Sequence, residues 1–244
     1  STTNKCRIYV QFLGGRYSSV SQNTIMDNRK TLLTAGIFYV LTFISIPTLF
    51  LYIPIHDPNY MLIKTTDTGI VIGGILEIIV ALCGIITAVV LYPLLKVQNS
   101  TLAIGLIAAR IVEAGTMFTG VAFLLGAVTM HQQDIGESAV PVGRALVALY
   151  DRIFILGQGF MPGIDDLLLG ILLYKSRLVP RRLSVIGIVG AFPLFAGYFA
   201  VMFGVIDRTS PFTGLAAVMV AVFEFSLGIY LIVQGLKKTP ATAA

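Results

Sequence analysis

The sequence predicts an all-α polytopic membrane protein, a bundle of six transmembrane helices, on the strength of three observations. Of its 244 residues 56% are hydrophobic and only 12% charged, with a mean hydropathy of +0.88; an ordinary soluble domain carries about twice that charged fraction. Six apolar stretches are long enough to cross a hydrocarbon core, which takes about 20 residues at helical rise. The basic residues, which give the chain a net charge of +5, collect at the ends of these stretches and mostly on one side. The basic balance is therefore a topology signal and calls for no nucleic acid.

Taken in order, the stretches cover residues 31–54, 69–95, 102–130, 144–174, 183–206 and 212–236. A polar leader, 1–28, precedes a membrane domain of 29–238, and a short tail, 239–244, follows it. The leader lacks the apolar core of a secretory signal, so the first stretch reads as an uncleaved anchor. Met26 opens Met26-Asp27-Asn28-Arg29-Lys30, which marks the residues before it as dispensable for the fold. Turn-rich separators stand between the stretches: His56-Asp57-Pro58-Asn59, Lys96 to Ser100, Gln132 to Gly143, Lys175 to Arg182, and Asp207 to Pro211. Pro47, Pro162 and Pro193 fall inside stretches, where neighbouring helices can satisfy the freed backbone groups.

Orientation follows from the loops. Lys5, Arg7, Arg16, Arg29, Lys30, Lys96, Lys175, Arg177, Arg181, Arg182, Lys237 and Lys238 share one side, while Lys64 and Arg208 lie on the other with Arg144 at a boundary. The rule that positive charge stays inside places both termini in the cytoplasm of an inner-membrane protein with an even number of crossings. Tyr52, Tyr60, Tyr92, Tyr150, Tyr174 and Tyr230 lie near the ends of stretches and are expected to anchor in the headgroup layer.

The charges within the stretches are the informative residues, because each costs about 2.5 kcal/mol or more at mid-helix and must face protein or water. They are Glu77 in the second stretch, Arg110 and Glu113 in the third, Asp151, Arg152, Asp165 and Asp166 in the fourth, and Glu224 in the sixth. Counted at 1.5 Å per residue, Glu77 and Arg152 both lie about 12 Å from the outer side. A Glu77–Arg152 pair is therefore open to spans two and four. Arg110 matches Asp165 and Asp166 in depth from the cytoplasmic side, and Glu113 is its i,i+3 neighbour. In the fourth stretch Asp151 and Asp165 lie two heptads apart and share one face, as do Arg152 and Asp166 on another. Gly157 to Gly163, containing Pro162, marks a kink near mid-bilayer.

Two arginines against six acids leave a surplus of about four carboxyls, each of which needs a proton, a hydrated cavity or a cation. Several chemistries lack their residues. No span carries a His for haem or a Lys for a Schiff base, and Asp151 and Asp165, about 21 Å apart on one helix, cannot form a protease dyad. Phosphate-binding loops, zinc-protease helices and serine elbows are absent. His56-Asp57 and His131 to Asp134 share the outer side, but two unspaced histidines are read as solvated loop residues and no metal or cofactor is assigned. Cys6 and Cys83 form no disulfide framework.

Four further segments carry a resemblance. Arg29-Lys30-Thr31, Gly73-Gly74-Ile75-Leu76-Glu77, Ala109-Arg110-Ile111-Val112-Glu113-Ala114, and Leu173-Tyr174-Lys175-Ser176-Arg177-Leu178-Val179-Pro180-Arg181-Arg182-Leu183-Ser184 are similar to the bacterial integral membrane proteins grouped as domain of unknown function 4386. The likeness runs from about Met26 to Lys238, and the chain departs from it with Tyr150-Asp151-Arg152. It implies a six-span inner-membrane protein and assigns no activity.

The residues themselves point first to binding or transport of a small solute or protons, with Arg110 and Glu113 orienting the site and Asp165 or Asp166 titrating. A structural or regulatory component is the second reading, one that uses Lys175, Arg177, Arg181 and Arg182 to contact an anionic lipid or protein. An intramembrane hydrolase is the third, and it requires two acids from different helices to meet.

Overall fold

The computed structural model describes residues 28–133 and 136–236. The expectations for the leader, Cys6, Asp134, Lys237, Lys238 and the tail lie outside them. Every regular element among the described residues is helical. Helix α1, 28–41, passes into a 3-10 turn at Thr42–Ser45 and then a short α2, Thr48–Leu51. Pro47 stands at that break, where its missing N–H and its ring interrupt the hydrogen-bond ladder. Next come α3 (Thr68–Leu95) and α4 (Ser100–Gln132). Asn99 caps α4, its side chain accepting from the Leu102 backbone N–H at 3.0 Å, and the tight turn returns the chain antiparallel.

The fourth stretch differs from its expectation of one helix beginning at Arg144. Helix α5, Ala139–Phe154, starts within the predicted loop, a π-helical turn occupies Ile155–Phe160, and α6 follows at Met161–Ser176. Pro162 cannot donate to the carbonyl four residues back and its ring crowds that carbonyl, which a wider i→i+5 turn relieves. The added residue turns α6 by about 100° relative to a regular helix. The expected shared faces therefore fail: Asp165 and Asp166 are wholly buried, whereas Asp151 is half-buried and Arg152 exposed. Arg177, at φ 56°, ends α6 in the left-handed region, and α7 (Arg181–Met202) and α8 (Pro211–Leu236) complete the chain.

The segment Asn28–Leu51 and helices α3, α4, α7 and α8 are each long and apolar enough to cross a membrane. Their outward residues confirm the solvent. Phe50, Ile75, Ile104, Ile111, Phe192 and Leu215 are all exposed, an apolar surface that only hydrocarbon covers. Lipid tails are as apolar as leucine, so the helices associate by close packing of small residues. The inward face of α3 shows this in Gly73, Gly74, Ala81, Gly84 and Ala88.

Helix α4 lies at the centre, against α3, α5, α6 and the π turn, while α7 bridges α6 and α8. Helix α1 runs beside α8. Arg29 Nη2 donates to the Gly235 carbonyl at 3.2 Å, and Gly36 approaches the Gly228 backbone where a Cβ would collide. Residues 28 and 236 thus share one end of the bundle, here termed the base. Leu91, Leu95, Leu106, Leu169, Leu172, Leu173 and Phe223 form an apolar layer toward the base, and Tyr52, Tyr60, Ile70, Leu124 and Tyr150 form another toward the far end. Three tyrosines expected in the headgroup layer are therefore core residues. Tyr60 donates to Asp67 at 2.6 Å, and Tyr150 donates to Glu77 at 3.0 Å.

Candidate functional site

Between the two apolar layers lies an ion cluster centred on Arg110, which is 4% exposed. Its Nη1 donates to Glu113 Oε2 at 2.9 Å and its Nη2 to Glu224 Oε1 at 2.7 Å. Its Nε faces Asp165 Oδ2 at 3.6 Å, an ion contact too long for a hydrogen bond. Helices α4, α6 and α8 thus each supply a carboxylate to one planar guanidinium, whose fork suits several acceptors at once. The Tyr39 ring from α1 lies 5.9 Å from the guanidinium carbon. Gly84 on α3 faces the cluster, where a Cβ would lie in ordinary contact with the Arg110 side chain.

The sequence-predicted pair of Arg110 with Asp165 is present, as is the i,i+3 pair with Glu113. The Glu77–Arg152 pair is not. Tyr150 faces Glu77, and Arg152, two residues and about 200° further round the helix, faces outward. Glu77 is wholly buried, with one carboxylate oxygen on the Tyr150 hydroxyl and the other without a hydrogen-bond partner among the described residues. Asp166 is also wholly buried, with neither oxygen hydrogen-bonded among the described residues.

A cavity of about 240 Å³ opens beside the cluster, lined by Arg110, Glu113, Glu224, Gln158, Pro162 and Tyr198 and by Thr42, Ser45 and Ile46. Asp165 and Asp166 are not in its wall; they sit behind the guanidinium. Two of its walls are the irregular parts of the fold, the 3-10 break of the first segment and the π turn before Pro162. Non-helical backbone at membrane depth is tolerated where it is buried in protein or lines a cavity. Gly157 and Gly159 let this wall close onto Thr116 and Tyr198, leaving no space for a Cβ.

At the far end Asp151 belongs to a separate group. His56 Nε2 and Arg208 Nη2 each approach Asp151 Oδ1 at 3.0 Å, and the His56 Nδ1 lies 2.7 Å from the Tyr52 carbonyl. The ring has an acceptor near each nitrogen, and the hydrogen bond to Asp151 is the largest cause raising its pKa above the ordinary 6.5. His131 turns instead to Asp67, at 2.9 Å, so the two histidines do not converge. Arg208, which the sequence marks only as a loop cation, is a partner of this group; Gln158 and Tyr198 likewise line the inner cavity without a sequence signal beyond their place near Pro162 and in an apolar run.

These features define an all-α membrane bundle with a charged cluster buried between two apolar layers. The chain belongs to the family described as Domain of unknown function (DUF4386), whose model matches residues 34–235. Comparisons with curated proteins and with solved structures return no match.

Proposed function

We propose that this is a multi-pass inner-membrane protein that binds or transports a small solute or protons, with the Arg110 chamber as its working site. The observation that carries this reading is one guanidinium among Glu113, Asp165 and Glu224, with Asp166 buried close behind on the same helix turn as Asp165. One positive charge balances one carboxylate, so this group reaches neutrality only with protons or a cation. The cavity at the cluster and the broken helices around it support a site that admits such a species. On this reading the π-broken segment also crosses, as the fourth span in chain order and bringing the count to six, and both termini lie in the cytoplasm with the basic loops. The hydrolase reading is weaker, because Glu113 and Asp165 both direct an oxygen at Arg110.

The test is proton flux into liposomes that contain the purified protein and a trapped pH-sensitive dye. The intact protein is expected to dissipate an imposed pH gradient, and Asp165→Asn or Glu113→Gln to abolish the flux while leaving a folded, monodisperse protein. Unchanged flux in both variants overturns the proposal.

A second reading rests on the loop after α6. Val179 is buried in the base layer, which pins the loop, while Lys175, Arg177, Arg181 and Arg182 are exposed. Arg181 stacks over Tyr174 at 5.0 Å. This basic face suits an anionic lipid surface or an acidic partner. Reversing Arg181 and Arg182 to Glu should then weaken binding to anionic vesicles and leave proton flux unchanged.

A further inference from the structure

A second and larger cavity, about 540 Å³, lies toward the far end, between residues 48–53 of the first segment and the start of α8. The same two segments are in close contact nearer the base, where Gly36 meets Gly228 and the Phe43 and Phe225 rings pack edge to face at 5.2 Å. Beyond the break at Pro47 the cavity takes the place of that contact. Its sides are Leu49, Ile53, Phe154 and Ala217, and Leu49 at its edge is 69% exposed on the lipid-facing surface. It is therefore a lateral opening to hydrocarbon, within the range of about 300–1,000 Å³ usual for small-molecule sites.

The cavity is not uniformly apolar. Arg208 and His56 line one end. Arg208 uses Nη2 toward Asp151 and His56, and among the described residues its Nε and Nη1 make no hydrogen bond. The Arg208 side chain is 23% exposed, and its guanidinium packs over the Phe154 ring at 4.9 Å. Among the described residues Asp151 is the carboxylate in direct contact with Arg208 and His56, Glu77 lies behind Tyr150 within electrostatic reach of Arg208, and two donors of Arg208 stay unused; Asp207, next in the chain, is exposed.

We propose that this opening is a binding site for a single-chain amphiphile with a carboxylate head, of fatty-acid type, drawn sideways from the bilayer. The head meets the free donors of Arg208 beside His56, and the chain lies between Leu49 and Ile53 on one side and Phe154 and Ala217 on the other. A volume of about 540 Å³ suits one chain, and the unused donors of Arg208 at the polar end select an anionic head. This site shares Tyr198 and Ala217 as a common wall with the Arg110 chamber, but its polar end, Arg208 and His56, lies outside that chamber, and the proposal stands whether or not the chamber moves a solute.

The chain contains no Trp, so Leu49→Trp supplies a single fluorescent reporter at the opening. In phosphatidylcholine nanodiscs, dibromostearate is expected to quench it saturably, at about tenfold lower mole fraction than brominated phosphatidylcholine. Arg208→Gln should weaken the saturable component about tenfold. Gly214 lines the cavity and a Cβ there meets nothing within 4 Å, so the Gly214→Phe side chain starts in open space at the opening and is expected to occlude it and abolish saturation with the fold intact. The second variant decides if the first does not fold. Quenching that rises linearly and equally for both probes, a brominated two-chain anionic lipid that quenches as well as dibromostearate, or saturation that survives both substitutions overturns the proposal.

Discussion

Arg110 Nη2 and Glu224 Oε1 meet at 2.7 Å across 114 positions of sequence, joining the central helix to the last. Breaking a buried ion group by removing its cation leaves the acids without compensation, a loss of about 3–5 kcal/mol. Arg110→Gln should therefore destabilise far more than Glu224→Gln, which removes one acid and leaves the guanidinium two others. Unfolding in detergent, followed by circular dichroism, measures both; equal losses would contradict the cluster as described.

Tyr150 and Glu77 form the second buried polar contact. Tyr150→Phe strips Glu77 of its donor and is expected to cost about 1–3 kcal/mol. In a cycle with Glu77→Met the double variant should lose less than the sum of the singles, with a coupling of about 0.5–3 kcal/mol.

Two glycines on the same pair of packed helices should respond with opposite sign. At Gly157 a Cβ runs into Thr116, whereas at Gly115 it meets nothing within 4 Å. Gly157→Ala should cost about 1–3 kcal/mol through overpacking, and Gly115→Ala should gain about 0.5–1 kcal/mol from reduced backbone entropy. Thermal unfolding of the two variants in one detergent separates them.

His56 gives the far end a dependence on pH. Its hydrogen bond to Asp151 raises its pKa above 6.5, against desolvation and the Arg208 charge. A raised native value stabilises fully below the unfolded value, and the contribution fades as pH rises through the native one. The melting difference between the intact protein and His56→Gln should be larger at about pH 5.5 than at about pH 8.5. A difference that grows with pH would reverse the assignment.

The bundle was legible because span length is set by bilayer thickness, so apolar runs alone locate α3, α4, α7 and α8 within a few residues. Depth was legible for the same reason. Counting residues from a span end places Arg110 level with Asp165, and the structure has them in contact. Rotation about the helix axis was not legible across Ile155–Phe160, where the π turn changes the phase and sends Asp165 inward while Arg152 points out. Tyr150 and Tyr52 were misread because a tyrosine near a span end looks the same whether it meets headgroups or a buried acid. Arg208 was missed because a loop carries no periodicity to say which helix it reaches back to.

The pairing of Arg110 with Glu113 on a single helix bears on how the chain enters the membrane. The two charges are three residues apart, and they neutralise each other as soon as α4 coils. The segment can then be handed to the bilayer before α6 or α8 exists, since the expensive guanidinium already travels with its own counter-ion. Asp165 and Glu224 arrive later, on helices that α4 is there to receive. The order of synthesis and the order of charge compensation therefore coincide.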